Sequence, residues 1–157
     1  LITDEGDIFI CGSNWLTLME ARRYLIWDTA IDTANTATSC SLDPAGNIYV
    51  TGYNDRTLFY SAYSAQGKKL WMKNYDKSTH DQCIKGISAS ADSRLVVLEQ
   101  TGNAAKIKIF SENGEVSGVK ELFNIDVEKA AATKTGTSIL FNNNDLIVVT
   151  YSQMAAM

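Results

Sequence analysis

Gly46-Asn47-Ile48-Tyr49-Val50-Thr51-Gly52-Tyr53 decides the fold. A Gly-Asn pair follows Asp43-Pro44-Ala45, and a run of β-branched and aromatic residues follows the pair. That order predicts a tight turn entering a buried strand. Variants of it recur at Gly6-Asp7-Ile8-Phe9-Ile10-Cys11-Gly12, Ser93-Arg94-Leu95-Val96-Val97-Leu98-Glu99 and Asn144-Asp145-Leu146-Ile147-Val148-Val149-Thr150. The copies start at 6, 46, 93 and 144, so the intervals are 40, 47 and 51. A loose period of that size is the signature of β-propeller blades.

The segments between the copies read as further strands. After the middle copy come a polar loop at Asn54-Asp55-Arg56, a strand over 58–63, a turn at Ser64-Ala65-Gln66-Gly67, and a strand over 68–75. A long polar loop from Asp76 to Gln82 leads to a strand over 83–89. The next copy repeats the order, with Ser111-Glu112-Asn113-Gly114 at the place of Ser64–Gly67 and a strictly alternating Lys106-Ile107-Lys108-Ile109-Phe110 before it. In the first copy Trp27 falls at the place of Trp71, and Phe59 occupies the place of Trp15. Ala21 to Leu25 has local helix character, but the register of the copies predicts a hairpin there, with its turn at Glu20-Ala21-Arg22-Arg23. Val127 to Ala132 is the one place where propensity favours a helical turn. Pro44, the only proline, suits the second position of a type I or II turn.

The expectation is therefore an all-β chain: a β-propeller segment of about three and a half blades of four antiparallel strands, with units at 6–45, 46–92, 93–143 and a partial unit at 144–157. Open sheet edges invite pairing. The expected arrangement is a slice of a larger propeller, or failing that a ring completed by two chains. The chain opens on Leu1 and shows no basic-then-apolar signal pattern at its start.

The turn and strand at Asp43–Gly52 resemble the bacterial β-propeller repeat family often called the SBBP repeat, in which an aspartate-rich turn leads into a Gly-Asn-hydrophobic-Tyr-Val-Thr-Gly strand. Gly67 followed four residues later by Trp71 is also similar to the tryptophan-docking repeat of quinoprotein dehydrogenases. Only residues 43–71 match closely. The resemblance implies a fold and a scaffold, often at cell surfaces, and no catalytic residue.

Composition narrows the function. The formal charge is −4, and the lysines and arginines are scattered, so no basic face is available for nucleic acid. No run of eighteen apolar residues spans a membrane. Cys11, Cys40 and Cys83 show no metal spacing, and Cys11 and Cys40 lie within apolar strand patterns as small hydrophobes. His80 is the only histidine, and its neighbours Ser78 and Asp81 are too close in sequence to suggest a catalytic triad. Asp76, His80 and Asp81 offer metal donors, and Asn142-Asn143-Asn144-Asp145 offers oxygen donors, but a polar loop and a turn explain both better. Neither a metal nor a cofactor is expected. The three tryptophans could stack on sugars, yet repeated aromatics at equivalent positions argue for packing between blades.

Loops on a rigid scaffold carry function. The loops after the second and fourth strands of the unit hold Tyr53, Asn54, Asp55, Arg56, Asp76, His80, Asp81 and Asn103. Tyr53, Asn54, Asp55, Arg56, His80 and Asp81 are the candidate partner-binding set, with Tyr53 and Arg56 foremost because Tyr and Arg are enriched at binding hot spots. The functional expectation is a non-catalytic scaffold for protein–protein interaction or assembly, through these loops or open sheet edges. The alternatives are a quinoprotein-type enzyme domain and a carbohydrate-binding surface protein.

Overall fold

In a computed structural model the chain is described at residues 6–12, 14–20, 24–31, 36–90, 92–101, 104–122, 133–142 and 145–154. Every regular element among them is a strand. The first sheet holds β1 (Ile8–Cys11), β2 (Trp15–Met19) and β3 (Leu25–Ala30). The second holds β4 (Thr36–Leu42), β5 (Ile48–Tyr53), β6 (Thr57–Tyr63) and β7 (Lys69–Asp76). The third holds β8 (Cys83–Ala89), β9 (Leu95–Thr101), β10 (Ala104–Phe110) and β11 (Val116–Leu122). A two-stranded pair, β12 (Thr133–Asn142) and β13 (Asp145–Met154), follows. Each sheet is an antiparallel meander in chain order. β2 and β3 pair as the expected hairpin, with the Glu20 N–H donating to the Tyr24 carbonyl at 2.8 Å, while residues 21–23 of its expected turn lie outside the described residues. The helical turn expected over 127–132 and residues 143, 144 and 155–157 lie outside the described residues.

Sheet and sequence repeat are offset by one strand. The repeat read from Gly46 groups 83–89 with the strands before it, whereas β8 hydrogen-bonds to β9 and belongs to the third sheet. Turn chemistry is the reason: Ser90 and Ser93 close a hydrogen-bonded turn with Ser93 left-handed, which folds β8 back on β9 as a hairpin. The longer 77–82 connection crosses between sheets.

Four hairpins share one turn. In each, the first residue's carbonyl accepts from the fourth N–H, at 3.0 Å for Asp43/Gly46, 2.9 Å for Ser64/Gly67, 3.1 Å for Ser90/Ser93 and 2.9 Å for Ser111/Gly114. The fourth residue is left-handed, with φ of 79°, 76°, 58° and 76°. Each turn is thus closed on a left-handed fourth residue, where Gly carries no Cβ penalty. Pro44 occupies the second position, where its fixed φ fits.

The second sheet is buried on both faces. Ile48, Val50, Phe59 and Tyr63 meet Phe9, Leu16 and Ile31 from the first sheet's side. Tyr49, Leu58, Tyr60 and Ala62, of opposite parity, meet Leu95, Val97 and Phe110 of the third. Strand periodicity of two sorts one sequence into two cores. Side chains such as Phe59 and Tyr60, fully buried, contribute about 1.5–3 kcal/mol each.

The contact between sheets repeats. The Trp27 indole N–H donates to the Ala65 carbonyl at 2.9 Å, and the Trp71 indole N–H donates to the Glu112 carbonyl at 2.7 Å. Each ring covers the glycine of the turn it reaches: a methyl on Gly67 would lie 2.6 Å from Trp27, and one on Gly114 2.7 Å from Trp71. The expected equivalence of the two tryptophans thus has a packing cause. Trp15 and Phe59 are equivalent as well. Each lies against a cross-strand glycine, so that a Cβ on Gly12 would meet Trp15 at 2.4 Å and one on Gly52 would meet Phe59 at 2.6 Å. The first strands of successive sheets also adjoin, β4 with β8 and β8 with β12. The Ala89 N–H donates to Ser41 Oγ at 3.0 Å across the first of these boundaries.

Candidate functional site

The shared turns occupy one end of the second and third sheets. The opposite end carries the β5–β6 turn and the β7–β8 connection, and there the topology gathers Tyr53, Asn54, Asp55, Arg56, His80 and Asp81.

The β5–β6 turn is built by Asn54. Its Oδ1 accepts the Arg56 N–H at 2.9 Å and the Thr57 N–H at 2.7 Å, and its N–H donates to the Thr57 carbonyl at 3.0 Å. Asn54 therefore shapes the backbone. Tyr53, Asp55 and Arg56 remain exposed. The Lys77 N–H donates to the Arg56 carbonyl at 2.8 Å, and the Lys77 ammonium sits 4.6 Å from the centre of the Tyr53 ring. These two contacts join the turn to the start of the 77–82 loop, the second a cation–π contact.

Gln82, buried, closes the loop at its other end. Its Oε1 accepts from the Ser78 N–H at 2.6 Å and the Ser78 hydroxyl at 2.9 Å. Its N–H donates to the Thr79 carbonyl at 3.2 Å. The Thr79 hydroxyl donates to Asp81. The Ser78 hydroxyl is thus directed at Gln82, and no nucleophile–base pair forms with His80. His80 and Asp81 stand exposed at the loop's outer side. Asp76 ends β7, and Asn103 lies outside the described residues. No group of three His, Cys, Asp or Glu among the described residues converges to hold a metal ion.

Beneath the loop lies a group that the sequence reading missed. Glu99, at 0% side-chain exposure, accepts from Gln82 Nε2 at 3.0 Å and from the Tyr60 hydroxyl. Lys108 Nζ lies 2.7 Å from its Oε1 and Lys106 Nζ 3.3 Å from its Oε2. The Lys108 ammonium also faces the Tyr75 ring at 4.9 Å. Burial works against the charged carboxylate, but hydrogen bonds from Lys108 and Tyr60 and the charges of both lysines outweigh it, holding Glu99 below its ordinary range. Burial, then the charge of Glu99, pushes the Tyr60 phenol up, so it stays a donor. Tyr60, Gln82, Lys106 and Lys108 together fix the position of the Glu99 carboxylate.

One signal could have found Glu99. In the aligned copies it stands where the first two have Gly12 and Gly52, and Lys106 opposite it stands where they have Trp15 and Phe59. The third sheet thus replaces a glycine–aromatic cross-strand pair with an ion pair.

No family model matches the chain, and no curated protein matches it. Among solved structures, it is similar to a protein of unknown function from Bacteroides caccae, at a TM-score of 0.60 and 18% identity, over 89% of this chain and 48% of that one. It also aligns with the major Malassezia sympodialis allergen Mala s 1, at a TM-score of 0.44 and 8% identity, over 94% of this chain and 62% of that one. The chain thus spans less than two thirds of the length of either structure.

Proposed function

We propose that the chain is a β-propeller segment acting as a non-catalytic scaffold, and that it engages a protein partner through the end carrying Tyr53, Asn54, Asp55, Arg56, His80 and Asp81. The observation that carries this reading is the pre-organised base of that end. The 54–56 turn and the 77–82 loop are bonded to each other at Lys77 and anchored on buried Glu99 through Gln82. Ordering is already complete there, which lowers the entropic cost of association. What remains exposed above it is an aromatic face, a guanidinium, carboxylates and an imidazole, a mixture suited to recognition.

The propeller reading is supported by the repeated indole-on-turn contact from the first sheet to the second and from the second to the third. A sheet-to-sheet contact repeated in succession is what propeller blades make. Further blades would come from the same polypeptide or from a second chain. The carbohydrate alternative needs free tryptophan faces; Trp27 and Trp71 lie on the turn glycines, and Trp15, 42% exposed, is the one left to it.

The test takes a partner identified by affinity capture and measures its affinity by calorimetry. The double variant Tyr53→Ala/Arg56→Ala should weaken binding about 10-fold or more. Unchanged affinity in that variant and in His80→Ala/Asp81→Ala would place the interface elsewhere.

A further inference from the structure

Two of the cysteines meet at the boundary between the first and second sheets. Cys11 ends β1 opposite Leu16, and Cys40 lies in β4 opposite Val50. β1 adjoins β4, and both half-buried side chains lean on the cluster that contains Phe9, Leu16, Ile48 and Val50. Each thiol is the largest single influence on the other, which places the two side chains within interaction range, and the Cys11 thiol donates to the Gly12 carbonyl at 3.7 Å. Strand register puts Thr51 and Ile87 at the matching places of the next boundary: Thr51 pairs with Tyr60 and Ile87 with Val97. The thiol pair is therefore no requirement of the repeat. Cys83 lies apart in the third sheet, opposite Gln100.

We propose that Cys11 and Cys40 form a dithiol that closes to an intrachain disulfide by exchange with small-molecule disulfides such as oxidised glutathione, fixing the first sheet covalently on the second. Interaction with Cys11 draws the Cys40 thiol below its ordinary value, and interaction with Cys40, with burial, pushes Cys11 up. Cys40 is thus the thiolate that attacks first. Its sulfur bonds to one sulfur of glutathione disulfide, the S–S bond breaks, and one glutathione thiolate leaves and takes up the proton released from Cys40. Cys11 then loses its proton and attacks the Cys40 sulfur of the mixed disulfide. A second glutathione thiolate leaves with that proton. Two protein thiols are oxidised by two electrons, and one glutathione disulfide is reduced to two thiols. Closing to bonding distance takes side-chain rotation and an approach of β1 to β4 that meets disulfide geometry. Cross-linking the chain between 11 and 40 restricts the unfolded ensemble, so the oxidised form should melt about 5–10 °C higher.

The test equilibrates the chain in glutathione buffers from fully reduced to fully oxidised. Each sample is acid-quenched and alkylated, then read by intact mass and peptide mapping. Wild type and Cys83→Ser should lose two alkylatable thiols together and yield the Cys11–Cys40 peptide. Cys11→Ser should stop at a glutathione adduct on Cys40. Three alkylatable thiols at every ratio would overturn the proposal, and so would cross-links confined to Cys83 or to pairs of chains. Wild-type peptide mapping decides the matter even if a serine variant fails to fold.

Discussion

Replacing Glu99 is the sharpest perturbation the structure offers. Glu99→Ala removes the common acceptor of Tyr60, Gln82, Lys106 and Lys108. Lys106, at 34% exposure, can turn to water, but Lys108, at 12%, is left charged with little hydration. Breaking a buried pair from one side costs about 3–5 kcal/mol. The stranded Gln82 amide and Tyr60 hydroxyl add to that, each in the range of about 1–3 kcal/mol when fully unsatisfied. The expected loss is about 5 kcal/mol or more, a large part of the roughly 5–15 kcal/mol that holds a domain. Glu99→Gln keeps an acceptor for Lys108 and should lose about 2–3 kcal/mol. Urea unfolding followed by tryptophan fluorescence measures both. In a double-mutant cycle, Glu99→Leu/Lys108→Met should fall short of the summed single losses by about 1–2 kcal/mol. Acid adds an independent readout. The folded state holds Glu99 below its ordinary value of 4.5, so its stabilisation is complete above that value and is lost as pH falls through the lower folded value. Glu99→Gln should flatten that acid limb. An Ala variant that loses under about 1 kcal/mol, or an additive cycle, would refute the reasoning that Glu99 is the keystone of the third sheet's contact with the loop.

Thr51 Oγ1 is buried without a hydrogen-bond partner, so Thr51→Val should stabilise by about 1 kcal/mol in urea, and a loss would mean the hydroxyl is satisfied. Gly46→Ala meets only Ala65 Cβ at 3.2 Å and should cost about 1–2 kcal/mol for its left-handed φ, whereas Gly67→Ala also strikes the Trp27 ring and should cost about 1–3 kcal/mol more. Equal losses in thermal melts would remove the docking account of Gly67. Trp71→Phe loses the bond to Glu112 and part of the ring contact, and should cost about 1–3 kcal/mol by the same urea assay.

Strand positions were legible because they are local. Gly46–Tyr53 announces a turn and a buried strand in eight residues, and the structure places β5 within it. The equivalences of Trp27 with Trp71 and of Trp15 with Phe59 were legible as well, since a repeat marks positions that make the same contact. The loops were placed correctly after a unit's second and fourth strands, but the unit bounds were drawn at the turn, whereas hydrogen bonding begins one strand earlier, at β4. Lys106 and Lys108 were read as the polar half of an alternation, yet both reach a carboxylate on the neighbouring strand. The meeting of Cys11 with Cys40 leaves no local trace at all, since it arises from two strands of different sheets.

Glu99 explains why the third sheet departs from the repeat at one pair. In the first two sheets the position holds a glycine under an aromatic ring, a contact that ends within its own sheet. A carboxylate there costs desolvation that an apolar pair avoids. What it gains is reach: Tyr60 comes from the second sheet and Gln82 from the loop between the sheets, so one side chain ties three segments together. The loop is then held at both ends, by Lys77 on the 54–56 turn and by Gln82 on Glu99, while His80 and Asp81 project between the two anchors. An apolar pair could supply equal stability, but it has no donor or acceptor with which to hold Gln82. The more expensive residue is therefore placed where position of a loop, and not only cohesion of a sheet, is being determined.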